Sequence, residues 1–225
     1  MRLPLIIINF KNYPEIYGQN TIELSKVAKK VANDTNVEIV VAPPQASIAA
    51  VSQSVSIPIL CQHLDDIPEG ATTGFFVPEM AKSFGAIGSL LNHSEHRLEA
   101  QSICNLIERL RSLKMTSVVC AKTPDEVANI AKFDPDFIAI EPPELIGSGK
   151  SVSKHKPSVI TRSVQEKAQY SSSTKLICGA GIMDKIDVSS AAKLGAEGIL
   201  VASGIVKSSF WTEKIYELAS GFKDR

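Results

Sequence analysis

Three separate stretches of this chain carry polar side chains that could together transfer a proton. Asn9 and Lys11 follow one apolar run, His93 follows another, and Glu141 follows a third. A carboxylate can act as a general base, an imidazole can donate a hydrogen bond to a carbonyl oxygen, and an ammonium group can stabilise developing negative charge. Their combination predicts abstraction of a proton at a site shielded from water.

The segment after Glu141 has the composition of a hinged lid. Two prolines stiffen the exit from the apolar run, and Gly147 and Gly149 then provide conformational freedom. A base beside a mobile loop is typical of active sites that close over a substrate. The segment also resembles the end of a nucleotide-binding P-loop, but that motif needs glycine at the position of Glu144, so the interpretation fails.

Two turns of small residues follow the last two apolar runs, Gly179-Ala-Gly181 and Ala202-Ser-Gly204. Small residues let backbone N–H groups approach an anion, and a helix N-terminus adds a favourable dipole. Barrel enzymes often bind phosphate at this position. The alternative is that glycine serves only the geometry of two tight turns.

Eight short apolar runs, rich in isoleucine and valine, recur along the chain and predict buried parallel strands. They are Leu3–Ile8, Val37–Ala42, Ile57–Cys61, Ile87–Leu91, Met115–Cys120, Phe137–Ile140, Lys175–Cys178 and Gly198–Val201. Eight strand–helix units in 225 residues predict a single α/β domain over residues 1–225, a (β/α)8 TIM barrel. A doubly wound open sheet is the alternative.

Segments between the runs have helical periodicity, as in residues 21–31 and 98–113. Thr123 followed by proline and two acids predicts a helix start, and Asp184 and Phe210 lie near the starts of two later helices. A further helix is expected to begin near Glu95. Its N-terminus would disfavour a positive charge on His93, which would keep the imidazole neutral.

Composition excludes several classes of function. The formal net charge is zero and no long basic run occurs, so nucleic acid is not an expected partner. No apolar stretch is long enough to cross a membrane, and the N-terminus has the pattern of a first strand and not of a signal peptide. The four cysteines form no CxxC motif, which predicts reduced core residues in a cytoplasmic protein.

These motifs resemble those of the triosephosphate isomerase family over nearly the whole chain. Asn9-Phe-Lys11 is similar to its first loop, Asn92-His-Ser-Glu-His-Arg97 to its histidine loop, and Glu141-Pro-Pro-Glu-Leu-Ile-Gly-Ser-Gly-Lys150 to its base and lid. The short length, the lid sequence and the turn after Cys178 are similar to the archaeal branch. The resemblance implies interconversion of D-glyceraldehyde 3-phosphate and dihydroxyacetone phosphate, in glycolysis and gluconeogenesis, without cofactor or metal.

The resemblance also implies a role for each site residue. Glu141 would be the base, His93 the electrophile that polarises the carbonyl, and Lys11 the positive charge. Asn9 would orient the substrate oxygens. The remaining implied contacts are substrate-binding positions at Phe10, Ile146, Gly147, Gly181, Ala202 and Ser203, with Glu95 and Arg97 as supporting residues and Glu95 as the partner of Lys11.

Thr72-Thr-Gly74 resembles the interface loop of the family, which implies a homodimer or homotetramer. Three positions depart from the widespread form of the family: Asn92 replaces a common glycine, Glu144 replaces an aromatic residue, and the seventh turn lacks serine. Two alternatives stay open, namely another phosphate-binding barrel enzyme from amino-acid or cofactor synthesis and a non-catalytic barrel that binds a phosphorylated ligand.

Overall fold

The computed structural model describes residues 1–145 and 151–223. Eight parallel strands form one sheet within these ranges, in the order β2-β1-β8-β7-β6-β5-β4-β3. They are β1 (Leu5–Asn9), β2 (Glu38–Ala42), β3 (Leu60–Cys61), β4 (Gly88–Leu91), β5 (Thr116–Ala121), β6 (Phe137–Ile140), β7 (Lys175–Cys178) and β8 (Gly198–Val201).

The sheet closes between its first and last members. Val41 in β2 pairs with Ile59 just before β3, and the Val41 N–H donates to the carbonyl of Pro58 at 3.1 Å. Each strand therefore has two neighbours, which makes a barrel and excludes the open doubly wound sheet. The predicted (β/α)8 TIM barrel is confirmed.

The third strand is shorter than its apolar run predicts. The prediction was Ile57–Cys61, whereas the regular strand covers only Leu60–Cys61 and Ile59 makes an isolated bridge. Pro58 interrupts the run, and proline has no N–H to donate to a strand ladder. The other seven predicted strands agree with the observed ones to within two residues at either end.

Helices connect the strands and surround the barrel. They are α1 (Gln19–Asp34), α2 (Ile48–Ser54), α3 (Pro78–Ser83), α4 (Ala100–Ser112), α5 (Pro124–Ala131), α6 (Val152–His155), α7 (Pro157–Tyr170), α8 (Lys185–Lys193), α9 (Ser203–Val206) and α10 (Trp211–Ser220). None of the helices in the described ranges is long and apolar enough to cross a membrane.

Three of the predicted helix starts are confirmed, two of them by side-chain caps. The Thr123 hydroxyl accepts from the Glu126 N–H at 3.2 Å, and Pro124 occupies the first helical position of α5. Asp184 and Asp187 form a reciprocal capping box at α8, and Phe210 immediately precedes α10.

Alternation along the strands divides the core into two layers. Odd positions of β1, such as Leu5 and Ile7, lie inside the barrel, whereas Ile6 and Ile8 pack against the helices. The inner layer takes side chains from all eight strands, including Val40, Leu60, Leu90, Val118, Ala139, Ile177 and Leu200. The same alternation turns Asn9 and Glu141 toward the barrel axis. It would turn His93 outward, and His93 reaches the axis because the backbone bends at Asn92, whose φ is 59°.

Candidate active site

A cavity of about 180 Å³ opens at the carboxyl ends of β1, β4, β6, β7 and β8. Four polar side chains from three different strand ends line it together with the small residues that follow β7 and β8. The lining residues are Asn9, Lys11, Tyr13, His93, Glu141, Gly179, Ala180, Gly181, Ile182, Met183, Leu200, Val201, Ala202, Ser203 and Gly204.

Glu141 enters this cavity because it lies two residues beyond the inward-facing Ala139 of β6. It is only 4% exposed, and its Oε2 has no hydrogen-bond partner among the described residues. Burial raises the pKa of this carboxyl to about 7, although a hydrogen bond with the Cys120 thiol and the charge of Lys11 act in the opposite direction. Near pH 7 the group can therefore both accept and return a proton.

His93 faces Glu141 across the cavity, with 3.8 Å between its Nε2 and the Glu141 Oε2. The backbone N–H of Glu95 donates to Nδ1 at 3.2 Å, so Nδ1 is the acceptor and we assign the ring proton to Nε2. Burial, together with the charge of Lys11, lowers the pKa of His93 to about 4. The neutral ring thus directs a hydrogen-bond donor into the site.

The cause of this neutrality differs from the sequence expectation. We expected a helix beginning near Glu95, but α4 begins at Ala100. Residues 93–96 form one turn, closed by the His96 N–H and the His93 carbonyl at 2.8 Å. The expectation was wrong because polar residues with helix-start character also suit a tight turn. Burial and Lys11 depress the pKa of His93, and no helix dipole is needed.

Lys11 reaches the site from a turn with an unusual backbone. Its φ is 49°, in the left-handed region that non-glycine residues seldom adopt. The Asn9 Oδ1 accepts from the Lys11 N–H at 3.0 Å, and the Gln62 amide donates to the Lys11 carbonyl at 3.1 Å. Lys11 Nζ lies 2.7 Å from the Glu95 Oε1, which fixes the ammonium group at the rim of the cavity.

Only some of the other predicted site residues line the cavity. Gly181, with a φ of 68°, and Ala202 and Ser203 line the cavity. Phe10 does not line it, because its side chain is fully buried in the outer layer between barrel and helices. Arg97 bonds the Asn92 carbonyl at 3.1 Å and pairs with Glu126. Predicted positions Ile146 and Gly147 lie outside the described residues.

Two residues beside Glu141 were given other roles from the sequence, Gly179 in a phosphate-binding turn and Cys120 in the core. A Cβ atom added to Gly179 would lie 2.4 Å from the Glu141 Cγ, so only glycine leaves space for the base. Cys120 is the core residue that the sequence predicts, and it also lines one small cavity together with Glu141. The strand register explains the contact between Gly179 and Glu141. Cys178 of β7 pairs with Ile140 of β6, so the next residue of each chain segment lies beside the other.

The described residues offer no alternative centre based on a metal. No group of three or more histidine, cysteine, aspartate or glutamate side chains in the described ranges could hold an ion. The cavity brings together a buried carboxylate, a neutral imidazole that can donate a hydrogen bond, and one ammonium group. These are the requirements for moving a proton next to a carbonyl group.

Comparison with known proteins agrees with this chemistry. A family model described as triosephosphate isomerase matches residues 4–218. The chain belongs to the triosephosphate isomerase family. A triosephosphate isomerase of Cenarchaeum symbiosum is 48% identical over 218 residues, covering 97% of each chain. Relatives of the same name from Caldivirga maquilingensis and Sulfurisphaera tokodaii are 45% and 47% identical over 97% and 96% of this chain, and over 97% and 94% of their own lengths.

Membership in the triosephosphate isomerase family makes the chain an isomerase, with archaeal proteins among its relatives. A glutamate base beside a neutral histidine is an established example of pKa tuning in this family. The predicted resemblance is thus confirmed. The family's frequent glycine before the histidine also becomes understandable, because Asn92 has a φ of 59° and both residue types tolerate that conformation.

Proposed function

We propose that this cavity interconverts D-glyceraldehyde 3-phosphate and dihydroxyacetone phosphate through an enediolate intermediate, as a step of glycolysis and gluconeogenesis. The observation that carries the proposal is the Glu141 carboxylate, buried and with one oxygen unpartnered among the described residues, opposite the Nε2 of His93. A carboxylate kept from water, with one oxygen that has no hydrogen-bond donor among the described residues, is a stronger base than a solvated one.

Glu141 removes the proton from the carbon next to the carbonyl and returns it to the neighbouring carbon. The carbonyl becomes a hydroxyl and the hydroxyl becomes a carbonyl, so no atom or electron is gained or lost. The reaction therefore needs no cofactor and no metal. The pKa of about 7 suits this cycle because the same group must accept the proton and give it up in each turnover.

His93 donates from Nε2 to the substrate oxygen on which negative charge develops. Nε2 can pass protons between the two oxygens of the enediolate, because it gives its proton to one oxygen and then takes the proton of the other, which restores the neutral ring. Lys11 places its ammonium group at the same rim and stabilises the negative charge. The Asn9 side chain lines the cavity beside it and orients the substrate oxygens.

The phosphate group binds at the opposite side of the cavity, where small residues expose backbone N–H groups. Gly181, Ala202 and Ser203 support this assignment because they line the cavity and because α9 begins at Ser203, where the first N–H groups lack partners within the helix. Ile146 and Gly147 would complete the site from the lid. Phe10 contributes through the fold of its turn, since its side chain belongs to the outer core.

The supporting residues act on charge and position. Glu95 holds Lys11 with its carboxylate and His93 with its backbone N–H, and Arg97 holds the loop that contains both. We further propose that residues 1–225 form one catalytic domain, that the chain acts in the cytoplasm, and that it assembles as a homodimer or homotetramer. The four free cysteines and the exposed Thr72-Thr-Gly74 loop support the last two points.

Turnover of purified protein tests the proposal. We expect rapid isomerisation of D-glyceraldehyde 3-phosphate without added metal, measured through a coupled dehydrogenase that reduces dihydroxyacetone phosphate. A Glu141→Gln protein prepared identically is the blank for contaminating host isomerase. Binding of a triose phosphate without turnover in the folded parent would instead support the non-catalytic barrel. Neither binding nor turnover would indicate a barrel enzyme with another phosphorylated substrate.

A further inference from the structure

Asn92 connects the two groups that we assign to proton transfer, although it does not line the cavity. It follows β4 directly, precedes His93 and is only 1% exposed. Its φ of 59° creates the bend that turns the next residue toward the barrel axis. Glycine would permit this bend equally well, so the backbone alone does not explain an asparagine here.

Both polar atoms of the Asn92 side chain form hydrogen bonds. Its Nδ2 donates to the carbonyl of Cys120 at 2.9 Å, and its Oδ1 accepts from the N–H of Leu98 at 3.0 Å. Because Leu98 directly follows the histidine loop, the second bond brings the end of that loop back to its first residue. The Arg97 side chain adds a third connection by donating to the Asn92 carbonyl at 3.1 Å.

The bond to Cys120 extends this connection to the base. Cys120 lies in the inner layer of β5, and it lines one small cavity together with Glu141. The same residue therefore accepts from Asn92 through its carbonyl and lies beside Glu141. His93 is covalently next to Asn92, so one short chain of contacts joins the imidazole and the carboxylate, whose Nε2 and Oε2 atoms are 3.8 Å apart.

A second, weaker connection reinforces the first. The Asn92 Nδ2 lies 3.4 Å from the Glu126 Oε1, the same oxygen that pairs with Arg97. The other Glu126 oxygen accepts from the N–H of Lys122 at 2.7 Å, so α5 is tied to the loop that follows β5. Asn92 thus occupies the centre of a network that spans β4, β5 and α5.

We propose that Asn92 is a positioning residue, whose side-chain amide holds the histidine loop against β5 and thereby sets the geometry between His93 and Glu141. The proposal rests on the function proposed above. A shift of reacting groups by about 1 Å can lower turnover by as much as 100-fold, whereas substrate binding elsewhere in the site is little affected. Loss of the amide should therefore reduce kcat more than it changes KM.

Asn92→Gly is the decisive variant, because it keeps the left-handed backbone and removes only the side-chain bonds. We expect kcat to fall about ten-fold or more with KM changed less than about two-fold. Lys114→Gly is the matched control: Lys114 also has a positive φ, 56°, but lies in the turn between α4 and β5, at the other end of the barrel. This control should keep the kcat of the parent.

Asn92→Asp provides an independent variant if the glycine protein does not fold. The aspartate can still accept from Leu98 but cannot donate to Cys120, so we again expect a lower kcat. Parental kcat in either folded variant, or a loss that only follows the fraction of unfolded protein, would overturn the proposal.

A nitrogen NMR spectrum of the His93 ring gives a readout that does not depend on activity. The parent should show one neutral form with its proton on Nε2, and Asn92→Gly should show exchange between forms. An identical spectrum in the two proteins would overturn the positioning role. Absence of isomerase activity in the parent would instead contradict the proposed function.

Discussion

Strand β6 has a carboxylate just beyond each of its ends, and the two carboxylates differ in burial and in hydrogen bonding. Asp136 precedes the strand at the surface, where its Oδ2 accepts from the Ser117 N–H at 2.8 Å and from the Ser117 hydroxyl at 3.0 Å. Glu141 follows the strand, is buried, and leaves Oε2 without a partner among the described residues. A satisfied carboxylate stabilises the fold, whereas an unsatisfied buried one retains its reactivity at the expense of stability.

Substitutions of the two carboxylates should differ most in their effect on kcat. We expect Glu141→Gln to lower kcat about 1,000-fold or more, since an amide cannot accept the proton. Asp136→Asn makes the same chemical change at the other end of β6 and should keep kcat within about two-fold of the parent, because its contacts lie far from the cavity. Steady-state kinetics of both proteins measure the comparison, and near-parental turnover of Glu141→Gln would exclude Glu141 as the base.

His93→Gln tests the group opposite the base. Glutamine can still donate a hydrogen bond, but it cannot pass a proton between two oxygens, so we expect kcat to fall about 100-fold. KM should change much less, because phosphate binding lies at the other side of the cavity. Unchanged kcat with a raised KM would show that His93 only contributes to binding.

Gly179→Ala tests whether the base needs the space beside it. The Cβ atom of the new alanine would lie 2.4 Å from the Glu141 Cγ, which is too close, so the carboxylate must move. We expect a loss of about ten-fold in kcat. Gly204→Ala is a milder control, because its nearest neighbour would be the Ile182 carbonyl at 3.1 Å. Equal kinetics for Gly179→Ala and the parent would remove Gly179 from the account.

In the free energy of unfolding, we expect the loss in Asp136→Asn and not in Glu141→Gln. Because the folded pKa of Glu141 is raised from 4.5 to about 7, the folded protein holds a proton that the unfolded chain releases first, and stability falls as pH rises through this window. Glu141→Gln removes that loss, up to about 3 kcal/mol, and should be more stable than the parent at pH 8 but not at pH 4. Asp136→Asn should lose about 1 kcal/mol.

Urea unfolding at both pH values measures these free energies. A Glu141→Gln protein that is less stable than the parent at pH 8 would show that the carboxylate contributes to the fold. It would also mean that the base has partners which the structure does not show, and the contrast with Asp136 would lose its physical basis.

Much of the barrel could be predicted from the sequence, because buried parallel strands leave local signals. Uninterrupted apolar runs gave seven of the eight strands closely, and strand-end position singled out Lys11, His93 and Glu141. The run Ile57–Cys61 was misjudged because Pro58 within it has no N–H to donate to a strand ladder. The start of α4 was misjudged because turn and helix-start residues share the same chemistry.

What could not be predicted depends on contacts between distant segments. Gly179 and Cys120 acquire a role only through the registers that bring β7 and β5 alongside β6. The depression of the pKa of His93 likewise arises from burial and from Lys11, which is far away in sequence. A single sequence contains each of these residues but not the distances between them.

The most direct test of the central claim is the protonation of Glu141 in the free protein, followed by infrared spectroscopy of its carboxyl group with Glu141→Gln as the reference. We expect a carboxyl that titrates near pH 7, and an acidic limb of kcat/KM at the same pH, since this ratio reports groups of the free enzyme. Titration at the ordinary glutamate value near 4.5, with no matching limb in kcat/KM, would contradict the account.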